Sequence, residues 1–144
     1  MAEDNAQSAA SLQACRDTDS LEAGWNRAEA YHQTGQWQAT VQVCEWLVQT
    51  WSSGSALYLL VLTQTYLGSR NAALLLIDKY QEPVQTASPS NSQMSVLIAA
   101  EKQYISHNLV SAISLYEEAL QSPLDSIYLD SCATYRLGQV YHVV

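Results

Sequence analysis

The apolar positions of this chain recur mostly every three or four residues, the spacing that lines them up on one face of a helix. Three segments show the pattern in pairs. In "GWNRAEAYHQTGQWQATVQVCEWLVQTW" a helix is predicted from about Leu21 to Thr34, Gly35 turns the chain, and a second helix runs from about Trp37 to Trp51. In "ALYLLVLTQTYLGSRNAALLLIDKY" a helix reaches Leu67, Gly68 turns it, and another runs from about Arg70 to Tyr80. In "MSVLIAAEKQYISHNLVSAISLYEEALQSP" the turn falls near Ser106–Asn108. A fourth segment opens with "SIYLDSCATYRLGQVY". Strand signals are poor, with few alternating β-branched runs and no Asn-Gly or Asp-Gly hairpin turn. The stretch "QEPVQTASPSNSQ", 81–93, holds two of the three prolines and reads as a loop. Residues 1–19 are small and polar and read as a flexible acidic tail.

Side-chain sizes repeat along with the periodicity. In the third segment Ala112, Tyr116 and Ala119 alternate small, large and small along the second helix, and Pro123 ends it. Ala28, Tyr31 and Trp37 hold the small, aromatic and large sites of the first segment, while Gly68 and Ala73 fit in the second. Thr40, Leu47, Val61 and Gln64 depart from the size rule. Helices of a pair pack tightly only where the crossing residues stay small. The small sites of the first helices are spaced by 33 (Ala28 to Val61), 39 (Val61 to Ala100) and 38 residues (Ala100 to Gly138). This register resembles the tetratricopeptide repeat, a 34-residue helix–turn–helix unit. The fold class expected is therefore all-α: a tetratricopeptide-like helical-hairpin solenoid over 20–144, which the resemblance makes a right-handed superhelix. It would hold repeats at about 21–52, 54–81 and 94–122, and an incomplete unit at 126–144. Leu137, Gly138 and Tyr141 match the first-helix signature of a fourth repeat. Because "VYHVV" is not a polar cap, the expectation is a piece of a longer repeat protein, or one interrupted here by an insertion.

Composition narrows the function. Of 144 residues, 48% are apolar and only 14% charged, with a net charge of −8. Nucleic acid and anionic lipid both select a basic patch, so neither is an expected partner; a protein is. No apolar run approaches the roughly 18 residues of a membrane span, and the acidic start is no secretory signal. Cys15, Cys44 and Cys132 are odd in number and widely spaced. They suit a reducing compartment, so the expected location is nuclear and cytoplasmic.

Candidate chemistry is sparse. His32, His107 and His142 are not paired with cysteines or acids at ligand spacing. No phosphate-loop, dinucleotide, nucleophile-elbow or zinc-protease motif is present. Glu117–Glu118 reads as a solvated helix face. The chain is therefore expected to be no enzyme, with no cofactor, no metal and no small-molecule substrate.

In a solenoid of helix pairs the first helices line the concave face. The register puts Trp25, Glu29, His32 and Gln33 there from the first unit, then Tyr58, Leu62, Thr65 and Tyr66, then Leu97, Glu101, Tyr104 and Ile105. The set is aromatic and apolar with two acids and no lysine or arginine. It therefore disfavours a clamp for a C-terminal carboxylate. Trp37, Trp46 and Trp51 crowd one helix and cannot all face the same neighbour. They are candidates for self-association, since an exposed tryptophan suits an interface anchor.

The stretch "ATVQVCEWLVQTWSSGSALYLLVLTQTYLGSRNAA" resembles the first repeats of the tetratricopeptide scaffold subunits of the anaphase-promoting complex (cyclosome), a multi-subunit ubiquitin ligase. "SPSNSQMSVLIAAEKQYISHNLVSAISLYEEALQ" and "ATYRLGQVY" resemble the opening of the related accessory subunit of animals. The likeness spans about 39–144 and departs at Gln64 and in the lack of phenylalanine. It implies a non-catalytic, homodimerising N-terminal region that works in cell-cycle control beside other subunits of a large complex. It also draws attention to Ser88-Pro89 and Ser122-Pro123 as proline-directed phosphorylation sites. The rival expectation is a stand-alone adaptor or chaperone of the same fold that binds an apolar peptide segment.

Overall fold

Helices account for nearly all of the residues described, 21–87 and 92–143, in this computed structural model. They are α1 (Leu21–Gln33), α2 (Trp37–Trp51), α3 (Gly54–Tyr66), α4 (Arg70–Ala87), α5 (Ser92–Ile105), α6 (Leu109–Ala119) and α7 (Ile127–Val143). There is no strand among the described residues, and the fold class is all-α. No helix among them is long and apolar enough to cross a membrane. The tail expected over 1–19, with Cys15, and the Ser88-Pro89 pair lie outside the described residues.

Three of the connections are the same turn. Gly35, Gly68 and His107 each hold a left-handed backbone, with φ of 75°, 77° and 66°. In each, the next N–H reaches back five residues: Gln36 to the Tyr31 carbonyl (2.9 Å), Ser69 to Gln64 (2.9 Å) and Asn108 to Gln103 (2.8 Å). The bond occupies a carbonyl that the helix end would leave orphaned. Glycine takes this φ without steric cost; at His107 a side chain sits there, at a cost of about 1 kcal/mol. The residue that closes each turn also opens the next helix. The carbonyls of Gln36, Ser69 and Asn108 accept from Thr40, Ala73 and Ala112, each at 3.0 Å.

The packing repeats with the turns. Thr40, Ala73 and Ala112 are fully shielded, as are Cys44, Ile77 and Tyr116 four residues on. Seven residues before each turn centre, Ala28, Val61 and Ala100 are also fully shielded. Ala28, Ala73, Ala100 and Ala112 are small enough at these places to let the two helices of a hairpin approach closely. Each helix packs on its successor, and α3 packs on α1 and α5 as well. Among these helices α3 is central: every residue from Ala56 to Thr63 is buried. That is why its sequence is apolar all round rather than on one stripe. Ser53 starts it by accepting the Ala56 N–H on its side chain at 3.2 Å.

One expectation is corrected. The helix that was expected to stop at Tyr80 continues to Ala87 through Pro83, so the second hairpin is longer than 54–81 and the 81–93 loop is shorter. Proline deletes one backbone donor and crowds the carbonyl four residues back. Packing outweighs this here. Val84 is buried on the same face as Ala73 and Ile77, and Tyr80 is held by the Gln49 amide at 3.1 Å.

Candidate functional site

The last helix is fastened to the first. Ser126 begins α7 by accepting the Leu129 N–H on its hydroxyl (3.1 Å) and donates that hydroxyl to Glu29 of α1 (2.5 Å). Two residues on, the Tyr128 hydroxyl is hydrogen-bonded to His32 Nδ1, also in α1. His32 sits in an aromatic cage, with ring centroids 5.1 Å from Trp37, 5.7 Å from Tyr66 and 5.5 Å from Tyr128. Burial pushes the imidazole pKa down to about 4, because charging it in an apolar cage forfeits hydration. It is therefore neutral at physiological pH.

Farther along α7, Arg136 reaches α5. Its Nε donates to Glu101 Oε1 at 3.1 Å, and its Nη1 donates to Gln139 at 3.0 Å. The guanidinium lies 4.6 Å from the Tyr104 ring and 5.4 Å from the Tyr66 ring. Glu101 Oε1 also accepts from the Tyr116 hydroxyl (2.5 Å), and Tyr116 meets the Tyr58 hydroxyl (2.8 Å). Tyr58, Glu101 and Tyr116 are fully shielded, and Arg136 is 3% exposed. Burial pushes the Glu101 carboxyl up, against the opposing pull of Arg136 and Tyr116. A polar seam thus ties α7 to α1 at one end and to α3, α5 and α6 at the other.

Beside the α1 end of that seam opens a cleft of about 1040 Å³. Leu21, Trp25, Ile127 and Tyr128 supply its apolar lining, and the charged side chains on it are Glu22, Glu29 and Asp125. A smaller cleft of about 320 Å³ adjoins it, sharing Leu21, Ser53, Ser55, Asp125 and Ser126 and adding Trp51, Met94 and Leu124. Exposed Ile127 (84%), Leu21 (40%) and Trp51 (36%) mark the rims.

The concave-face candidates divide between these environments. Trp25, Glu29 and Gln33 line the large cleft. His32, Tyr66, Glu101 and Tyr104 are gathered into the seam under α7. Thr65 is half-buried and turns its hydroxyl onto the Val61 carbonyl at 2.9 Å. Tyr58, Leu62, Leu97 and Ile105 are interior residues and present nothing to a partner in this conformation. Of the tryptophans, Trp37 contacts His32 and Tyr66, Trp46 packs half-buried on the core, and Trp51 alone is exposed. Cys44 is fully shielded, and burial raises its thiol pKa, which makes it inert. Cys132 is half-buried. Ser122 is exposed, and its carbonyl accepts from the Gln93 amide at 2.8 Å.

Sequence reasoning singled out Tyr116 only as a large packing residue and missed Arg136, Ser126 and Tyr128. Arg136 left a signal: it is the one lysine or arginine in α7, and the acid of that helix, Asp130, lies in its first turn. Among the described residues no group of three or more His, Cys, Asp and Glu side chains is arranged to hold a metal ion. No protein-family model, curated protein or solved structure matches this chain.

Proposed function

We propose that the chain is a tetratricopeptide-like solenoid, wound as a right-handed superhelix, that acts without catalysis as a protein-docking scaffold. The observation that carries this reading is the open, largely apolar cleft between α1 and α7, continued by a second one at Trp51. Clefts of this kind with exposed aromatic and aliphatic rims mark sites of protein contact. The three equivalent turns, with fully shielded residues in register on either side of each, support the repeat assignment.

The finer reading is a homodimerising N-terminal region of a scaffold subunit in the anaphase-promoting complex, acting in ubiquitin-dependent control of cell division in nucleus and cytoplasm. Its support is the resemblance over about 39–144 and exposed Trp51 on the first hairpin. Sedimentation equilibrium of the full chain beside Trp51→Ala tests self-association, and affinity capture of the tagged chain from dividing cells tests the complex. A capture that holds none of the ligase's other subunits removes the finer reading. The alternative, a stand-alone adaptor for an apolar peptide segment, draws on the same cleft and predicts a monomer.

A further inference from the structure

We propose that the α1–α7 cleft docks a segment of another protein that carries apolar side chains beside lysine or arginine. The inference rests on the reading of the chain as a docking scaffold and names the chemistry of what is docked. The cleft offers two things together. Leu21, Trp25, Ile127 and Tyr128 give an apolar bed, and every charged side chain on its wall is an acid: Glu22, Glu29 and Asp125. Apolar side chains of the partner would leave water there. Its cations would meet the carboxylates and could lie over the Trp25 and Tyr128 ring faces.

Charge argues against the other occupants. Residues 1–20, which lead into Leu21, carry Glu3, Asp4, Asp17 and Asp19 against a single Arg16. A second copy brings a net charge of −8, and four of its six lysines and arginines have partners within their own chain. Arg136 is buried on Glu101, Arg70 bonds His107 at 2.7 Å, Lys102 lies 4.0 Å from Asp78, and Lys79 lies over Tyr80. Placing either against the acidic wall sets like charge on like charge, which interfaces avoid. A basic amphipathic segment reverses that sign. Self-association at the Trp51 rim would use the adjoining smaller cleft, which shares Leu21 and Asp125 with this one, whereas Glu22 and Trp25 belong to the larger cleft alone.

The test is fluorescence anisotropy on the full-length chain with three labelled synthetic hexapeptides: alternating leucine and lysine, leucine and glutamate, and glycine and lysine. The leucine–lysine peptide should saturate, the leucine–glutamate peptide should not bind, and the glycine–lysine peptide should bind much more weakly. Combining Glu22→Gln with Asp125→Asn should weaken the leucine–lysine peptide about fivefold, as two half-exposed ion pairs allow. About 0.5 M salt should weaken it similarly. Both substitutions are on the surface, so the result does not depend on the fate of Trp25→Ala, which should weaken binding by about tenfold. Backbone amide shifts should cluster at Ser53, Ser55 and Ser131, which line the cleft. Equal binding of the glutamate peptide, indifference to the paired amide variant, shifts on another face, or no saturation up to about 1 mM would each overturn the proposal. So would a dimer that Glu22→Gln alone dissociates, since Glu22 lines only the larger cleft and that result makes a second copy the occupant. A strict monomer that still binds the lysine peptide would remove self-association and leave this inference standing.

Discussion

Removing the Arg136 charge probes how α7 is held. In Arg136→Met the hydrocarbon is kept and the guanidinium is lost. Glu101, fully shielded, then retains only the Tyr116 hydroxyl as a donor. Stranding one member of a buried pair costs about 3–5 kcal/mol, and the two flanking tyrosine rings lose their cation as well. The carboxyl has an escape, which is to take up a proton. Burial already raises its pKa, and Arg136 is the main opposing influence. In the variant the folded state therefore holds that proton more tightly than the unfolded chain does. An acid whose folded pKa is raised loses stability as pH rises through that value, so the variant should be weaker at about pH 8 than at about pH 5, relative to the parent. Urea unfolding followed by tryptophan fluorescence gives both numbers. The pair Glu101→Leu with Arg136→Met should return much of the loss, because replacing both ions removes the stranded charge. A loss below about 1 kcal/mol for Arg136→Met, against the several expected for a buried pair, or the same loss at both pH values, would refute the argument.

Two further outcomes follow from the same structure. His32 has its pKa lowered from 6.5 to about 4 in the folded chain. Stability from its neutral form is present above pH 6.5 and is lost as pH falls toward 4, by up to about 3 kcal/mol. His32→Gln should flatten that part of the pH–stability curve, and an unchanged slope would reject the cage of Trp37, Tyr66 and Tyr128 as its cause. A Cβ built on Gly138 meets no atom within 4 Å, so Gly138→Ala should stabilise the chain by about 0.5–1 kcal/mol through helix propensity alone. A lower thermal midpoint for Gly138→Ala would show that something packs against that glycine in solution.

Local signals carried most of the helix boundaries. The turns at Gly35, Gly68 and Ser106–Asn108, and the helices from Trp37 to Trp51 and from Arg70 onward, follow from periodicity and turn residues that act within a few positions. Pro83 misled because its local penalty is certain in sequence, while the burial of Val84 that offsets it depends on tertiary packing. The site was legible only in part. Trp25 and Glu29 were placed on the face that lines the cleft, yet nothing local announces that Ser126 and Tyr128 meet residues nearly a hundred positions earlier. Tyr58, Leu62 and Leu97 share the register of Trp25 or Glu29 in their own hairpins. They lie inside because α3 and α5 have neighbours on more sides than α1. A repeat register fixes which way a side chain points, and the position of its hairpin in the stack decides whether water reaches it.

Self-association is where a docking scaffold of this kind separates most clearly from a solitary adaptor. Sedimentation equilibrium of the full chain, run from low to high micromolar concentration beside Trp51→Ala, measures it directly. A concentration-dependent mass that reaches twice that of the chain is expected, with Trp51→Ala remaining at the mass of one chain. A parent chain that stays monomeric at the highest concentration would contradict it.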